Sequence, residues 1–228
     1  MIEKVIQKFF GKKNFHLDQS IPKSYLIGLS FKYTFSLLRG NWNKLFFGKN
    51  GHRVFIEGKV KLISRKKMFL GENVRIGKNT VINAISYDGV TLADNVKIGE
   101  NNHILVTGSL QEIGKGIRIG KNTSFSENTF FGAAGGIEIG SNVISGQNVR
   151  FHAENHIFSD TSELIRKQGV THKGIKIGNN CWIGSGVVFL DGAVVGDGCV
   201  IAANAVVGKT FSDNIIIGGV PAKQIKKR

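Results

Sequence analysis

The sequence is poor in cysteine and proline and has no long apolar run. Its two cysteines, Cys181 and Cys199, are too few for a disulfide framework and lack the paired spacing of a zinc site. No stretch of about 18 apolar residues is present to cross a bilayer, and the N-terminus has no apolar core of signal-peptide length. These absences disfavour a secreted or membrane-spanning protein and predict a cytoplasmic one.

Glycine, in contrast, is abundant and recurs in a pattern: there are 30 glycines against 2 prolines. The tetrapeptide Ile-Gly-x-Asn starts at Ile76, Ile98, Ile119, Ile139 and Ile177. From residue 177 onwards every sixth residue is apolar: Ile177, Ile183, Phe189, Val195, Ile201 and Val207. Neither the helical period of about 3.6 nor the alternation of a half-buried strand explains this spacing.

A six-residue step predicts a solenoid with three flat faces. One aliphatic side chain per face points into the core, a glycine follows where no Cβ fits, and asparagine occupies corners with left-handed backbone. Residues 58–220 have the length of roughly eight to nine coils of 18 residues. The polar stretch IFSDTSELIRKQGVTHKG breaks the period, so we predict an excursion loop near residues 157–174.

The net charge of +15 is concentrated before the repeats. Residues 1–67 hold 15 Lys+Arg and 3 Asp+Glu, a net of +12, whereas residues 68–228 hold 16 and 13, a net of +3. The nearly neutral repeats argue against nucleic-acid binding. We predict a basic, partly helical capping segment over residues 1–57, with a helix around residues 24–38, and a repeat domain over residues 58–228. An alternative role for residues 1–67 is peripheral contact with an anionic membrane.

Several stretches resemble a known family: IGKNT, IGNNCWIGSGVVF, VGDGCVIAANAVVGKT and IIGGVPAKQIKKR. They are similar to the hexapeptide-repeat acyltransferases, in particular the galactoside and maltose O-acetyltransferase branch, and within it to enzymes that modify bacterial surface polysaccharides. The resemblance covers about residues 58–228 and implies an all-β, left-handed parallel β-helix. It also implies acetyl transfer from acetyl-CoA to a sugar hydroxyl, without a metal, in a homotrimer that binds the cofactor between neighbouring subunits.

A sugar hydroxyl needs a general base to attack a thioester, and histidine is suited to that task near neutral pH. The family's catalytic histidine lies sixteen residues after the glycine of an Ile-Gly-x-Asn corner, which selects His156 from Gly140. The family's site asparagine corresponds to Asn128, whose amide can donate to the acceptor or to the developing oxyanion. Glu154 and Asp160 are both near enough in sequence to orient His156, and that role stays open.

The resemblance also assigns the acetyl-CoA contacts. Trp182 would line the slot for the pantetheine arm. Small residues and backbone amides follow along that slot at Ser185, Ala203, Gly208 and Lys209, while Lys223 and Lys226 would lie near the nucleotide phosphates.

Three alternatives stay open. The protein could acetylate an amino sugar on nitrogen, or bind a polymer without catalysis. It could also be a metal-dependent hydratase of the carbonic anhydrase type, which needs three converging histidines.

Overall fold

The computed structural model describes residues 16–108 and 111–228, so the first 15 residues of the predicted basic segment lie outside the described part. The described chain begins with one long helix, α1 (Lys23–Lys44), which extends beyond the predicted stretch of residues 24–38. The rest consists of short strands, numbered β1 to β25 along the chain, with 3-10 turns at Arg65–Lys67 and Ile165–Lys167. None of the described helices is long and apolar enough to cross a bilayer.

The strands form three stacked parallel sheets, which are the three faces of a solenoid. The first face contains β1 (Phe55–Ile56), β4 (Arg75–Ile76), β7 (Lys97–Ile98), β10 (Ser124–Phe125), β13 (Ile144–Ser145), β18 (Trp182–Ile183), β21 (Val200–Ile201) and β24 (Ile215–Gly218), with β25 (Lys223–Lys227) added antiparallel at its end. The second face contains β2 (Lys61–Ile63), β5 (Val81–Asn83), β8 (His103–Leu105), β11 (Phe130–Gly132), β14 (Arg150–His152), β19 (Val188–Leu190) and β22 (Val206–Val207). The third face contains β3 (Met68–Leu70), β6 (Val90–Leu92), β9 (Ile117–Ile119), β12 (Ile137–Ile139), β17 (Ile175–Ile177), β20 (Val194–Val195) and β23 (Thr210–Phe211).

The number of rungs lies at the lower end of the expected eight to nine coils or just below it. The first face has eight parallel rungs, and the other two have seven each. The excursion and the long connection between β8 and β9 use residues without adding rungs. The first rung, β1, lies directly before residue 58, and the domain boundary at that residue stays a prediction.

The six-residue period marks the side chains that fill the core. All six residues of the predicted series are at most 4% exposed: Ile177, Ile183, Phe189, Val195, Ile201 and Val207. On the second face, the rings of Phe131, Phe151 and Phe189 stack with centroids 5.0 and 4.8 Å apart. Because successive coils place like residues over one another, the apolar core is continuous along the solenoid.

The corners explain the glycine and asparagine content. A Cβ on Gly77 would lie 2.5 Å from the carbonyl carbon of Gly99 in the next coil, so the stacking of corners leaves no room for a side chain. The asparagines two residues after these glycines have φ between 54° and 60°, as predicted: Asn79, Asn101, Asn122, Asn142 and Asn180. Both corner assignments are confirmed.

Helix α1 packs against the first coil. Gly40 lies against the backbone of Val54, and the ring of Tyr33 meets that of Phe55 edge to face at 5.9 Å. Lys32 forms ion pairs with Glu57 and Glu100 at 3.0 and 3.3 Å. These contacts hold one side of the helix on the N-terminal coils.

Candidate active site

The predicted excursion is present and leaves the solenoid at the corner between the second and third faces. The chain departs after β14 and returns at Gly174, directly before β17. Its two arms form an antiparallel pair of β15 (Asn155–His156) and β16 (Val170–Thr171), with His156 opposite Val170. The pairing places the exposed His156 at the start of the outgoing arm, outside the packed core.

A second histidine closes the base of the excursion. The Nε2 atom of His172 lies 2.7 Å from Oε2 of Glu154, and its Nδ1 atom lies 3.7 Å from Oε1 of Glu112. The other candidate for orienting His156, Asp160, accepts a hydrogen bond from the Ser162 hydroxyl at 2.6 Å. Neither Glu154 nor Asp160 is hydrogen-bonded to His156 within the described part of the chain.

Asp191 fixes the return of the excursion to the coil. This buried carboxylate accepts hydrogen bonds from the backbone amides of Gly174 and Lys173 at 2.7 and 3.1 Å and from the hydroxyl of Thr171 at 3.0 Å. Sequence reasoning missed this residue and the pairing of Glu154 with His172. The one available signal was an acidic residue directly after a core strand, next to Gly192.

Asn128 lies at a different corner, between the first and second faces. Its backbone is left-handed, with φ of 59°, and its backbone amide donates a hydrogen bond to the carbonyl oxygen of Glu100 at 3.1 Å. Its side chain is exposed and takes no part in this bond. Ser185 and Ala203 occupy the same corner in later coils, and the exposed Trp182 precedes them on β18 of the first face. The structure therefore places these four residues along one edge of the solenoid.

The remaining predicted cofactor contacts are elsewhere on the chain. Gly208 and Lys209 follow β22 at the corner between the second and third faces, where the excursion also leaves. The ammonium group of Lys209 lies 5.4 Å from the centre of the Phe211 ring. Lys223 and Lys226 are exposed on β25, beside the last rung of the first face. Apart from these two lysines, the predicted site residues thus divide between the two edges of the second face.

Burial shifts the pKa values of two other titratable groups. Burial, together with the nearby Arg150, lowers the pKa of His152, whose ring packs 5.5 Å from that of Phe130. Burial raises the pKa of the Cys181 thiol to about 11, so it is protonated at neutral pH. Within residues 16–108 and 111–228, no group of three His, Cys, Asp or Glu side chains is arranged to hold a metal.

Two segments of the chain match known repeat families. Residues 174–209 match the bacterial transferase hexapeptide (six repeats), and residues 69–104 match the hexapeptide repeat of succinyl-transferase. Two segments of the chain thus carry hexapeptide repeats.

Curated relatives of the chain include acetyltransferases. The galactoside O-acetyltransferase of Escherichia coli (strain K12) is 37% identical over 92 residues, which are 40% of this chain and 44% of that protein. The putative lipopolysaccharide biosynthesis O-acetyl transferase WbbJ of the same organism is 45% identical over 53 residues, which are 23% of this chain and 27% of that protein. The chain thus spans less than half the length of these curated relatives. The matches confirm the resemblance to the hexapeptide acyltransferases and their galactoside branch.

A solved structure confirms the predicted fold class. A mutant of AntD, an N-acyltransferase from Bacillus cereus, in complex with dTDP-4-amino-4,6-dideoxyglucose and coenzyme A, superposes on this chain with a TM-score of 0.56. The match covers 83% of this chain and 88% of that one at 20% sequence identity. The fold of the chain is therefore a left-handed parallel β-helix, as predicted.

Proposed function

We propose that this protein is an O-acetyltransferase that moves an acetyl group from acetyl-CoA to a sugar hydroxyl of a bacterial surface polysaccharide or its precursor. The observation that carries the proposal is the placement of His156. Two segments match hexapeptide repeats of transferases, and between them an excursion presents this histidine outside the core. The identity shared with WbbJ supports a surface polysaccharide as the source of the acceptor.

In this proposal His156 is the general base. A neutral ring nitrogen of His156 takes the proton of the acceptor hydroxyl as the oxygen attacks the carbonyl carbon of the thioester. Acetyl-CoA supplies the acetyl group, and its thiolate leaves and takes up a proton. The amide of Asn128 donates to the oxygen on which negative charge develops.

The residues of the first edge fit the donor. An exposed indole at Trp182 offers a flat apolar surface for a flexible arm, and the small Ser185 and Ala203 leave the adjoining corner open. The exposed Lys223 and Lys226 provide positive charge for phosphates at the end of the first face. The two unpaired, buried cysteines agree with a cytoplasmic enzyme.

The position of the site favours a homotrimer. Asn128 precedes the second-face strand of its coil, whereas His156 follows the second-face strand of the next coil. The five residue-to-residue steps of extended chain from Asn148 to Ala153 span about 16 Å across the second face. We therefore place the complete site between neighbouring subunits, where one chain supplies the edge with Asn128 and the next supplies the excursion.

The test is release of CoA from acetyl-CoA in the presence of neutral sugars, amino sugars and surface-glycan fragments. We expect release that depends on a hydroxyl acceptor and falls by about a hundredfold or more in His156→Ala. His52→Ala, which removes an exposed histidine near the N-terminal coil, is the matched control and should keep full activity.

Two results would contradict the proposal. Release with amino sugars alone would assign N-acetylation instead. Absence of both release and acetyl-CoA binding would assign a solenoid that binds a polymer without catalysis.

A further inference from the structure

The solvent-facing side of α1 carries a stripe of exposed apolar side chains. Ile27, Phe31, Phe35, Leu38 and Trp42 follow one another at intervals of four, four, three and four residues. This spacing places them in one stripe along the helix, opposite the side that packs on the coils. Their exposed fractions are 58, 60, 53, 58 and 71%, and no side chain of the described residues covers them.

The stripe is continuous rather than a scatter of single residues. The rings of Phe31 and Phe35 stack on each other at 6.5 Å, and the exposed Leu45 and Phe46 extend the apolar surface beyond the end of the helix. Single exposed apolar residues are ordinary on protein surfaces, but contiguous apolar patches mark interaction sites. The stripe therefore has the character of an interaction site, which a binding partner or a membrane would cover.

Positive charge borders the stripe. A groove of about 630 Å³ lies between the C-terminal half of α1 and the first coil, and Leu38 and Trp42 of the stripe form part of its wall. The same groove is lined by four cationic side chains: Arg39, Lys59, Lys61 and Arg65. Its acidic side chain, Glu57, is paired with Lys32 at 3.0 Å.

The apolar stripe and the neighbouring cations together favour one kind of partner over another. A second copy of the chain would bring two segments with a net charge of +12 face to face, and like charges at an interface cost binding energy. A bilayer with anionic headgroups instead supplies phosphates for the cations and an apolar interior for the stripe.

We propose that α1 is an interfacial membrane anchor that lies in the plane of an anionic lipid surface. The five stripe residues enter the boundary between headgroups and acyl chains, and the cations of the groove contact lipid phosphates. The inference stands independently of acetyl transfer. If the protein is both an acetyltransferase and anchored in this way, it acts at the membrane surface, where lipid-linked glycan precursors are within reach.

The experiment is co-sedimentation of the full chain with phosphatidylcholine vesicles, with and without phosphatidylglycerol, at low and high salt. We expect binding only to the vesicles that contain phosphatidylglycerol, weakened by salt. Phe31→Gln combined with Phe35→Gln should lower the partition coefficient by about tenfold or more. Tyr87→Gln, which removes an equally exposed aromatic outside α1, is the matched control and should bind as the wild type.

Fluorescence gives a second readout. Trp42 and Trp182 are the two tryptophans, so a Trp182→Phe variant reports on Trp42 alone. We expect its emission to shift to the blue with anionic vesicles and to stay unchanged with phosphatidylcholine.

Two outcomes would overturn the proposal. One is a lack of vesicle binding at low salt, and the other is binding that the double glutamine variant leaves intact. If the wild type does not bind vesicles and the double variant sediments as a smaller oligomer or unfolds at a lower temperature, the stripe contacts another protein surface instead.

Discussion

The hydrogen bond between Glu154 and His172 joins the two ends of the excursion. Glu154 precedes β15 by one residue, and His172 follows β16 by one residue, so their contact at 2.7 Å closes the loop at its base. His156 lies two residues beyond Glu154, and the position of its ring therefore depends on how firmly this base is held. Glu154 and His172 act in this view as positioning residues rather than as partners of the substrate.

We predict that Glu154→Gln or His172→Gln lowers kcat by about tenfold and leaves the KM for acetyl-CoA nearly unchanged, because a displaced base affects the chemical step more than donor binding. Steady-state kinetics measures the effect, and a fall in kcat at constant KM distinguishes a displaced base from weakened binding of the donor. Glu163→Gln, which alters an exposed pair with Lys167 at the tip of the excursion, should change kcat little. An equal loss in all three variants would contradict the positioning role.

The place of His156 on the excursion could be predicted from the sequence, because the family resemblance selects this residue by its distance from Gly140 and the break in the six-residue period predicts the excursion. The pairing of Glu154 with His172 could not, since these residues are 18 positions apart and meet through an antiparallel pair that the repeat does not encode. The role of Asp191 could not be predicted for a related reason. A single acidic residue after a core strand is typical of an exposed corner, and only the structure shows that the returning arm of the excursion lies over it.

At the scale of elements, the coils were predictable and the helix only in part. Each coil requires an apolar side chain, a glycine and a left-handed asparagine at the same positions, so the sequence signal recurs from coil to coil. Helix α1 occurs once, and no repeated signal marks its ends. It extends to Lys44, beyond residue 38, through Gly40, a poor helix former that the fold retains because the backbone of Val54 lies against it.

The two interior glycines of α1 give a matched pair of substitutions. A Cβ on Gly40 would lie 1.7 Å from the carbonyl oxygen of Val54, whereas a Cβ on Gly28 would meet nothing within 4 Å. We expect Gly40→Ala to destabilise the protein by about 1–3 kcal/mol, because the helix must move off the first coil. Gly28→Ala should stabilise it by up to about 1 kcal/mol through helix propensity. Denaturant unfolding distinguishes the two, and equal effects would show that α1 is not docked through Gly40.

For the whole molecule, the second face separates the groups that the proposed reaction needs. Asn128, Ser185 and Ala203 lie along one edge of this face, and the excursion, Gly208 and Lys209 lie along the other. The family resemblance assigned these residues to one site between neighbouring subunits, but sequence spacing alone could not place them on different edges, because a repeat of six gives the position along a coil and not the neighbour across it. A site between chains reconciles the two observations.

This arrangement predicts complementation between inactive variants. Coexpression of His156→Ala with Asn128→Ala should yield mixed trimers in which about a quarter of the interfaces carry an intact histidine from one chain and an intact asparagine from the next. We expect activity near that fraction, although each variant alone is nearly inactive. Measured activity no higher than that of the single variants would place both residues in a site within one chain.

The reversed strand β25 has a consequence for the ends of the solenoid. A stack of parallel strands terminates in a row of unpaired amides and carbonyls, which is a template for the next chain. On the first face the protein occupies this row with its own tail, in which all five residues, including Lys223, Lys226 and Lys227, are exposed. A lysine-bearing edge resists further addition of strands. On the first face, β25 thus occupies the position at which another parallel strand would otherwise pair.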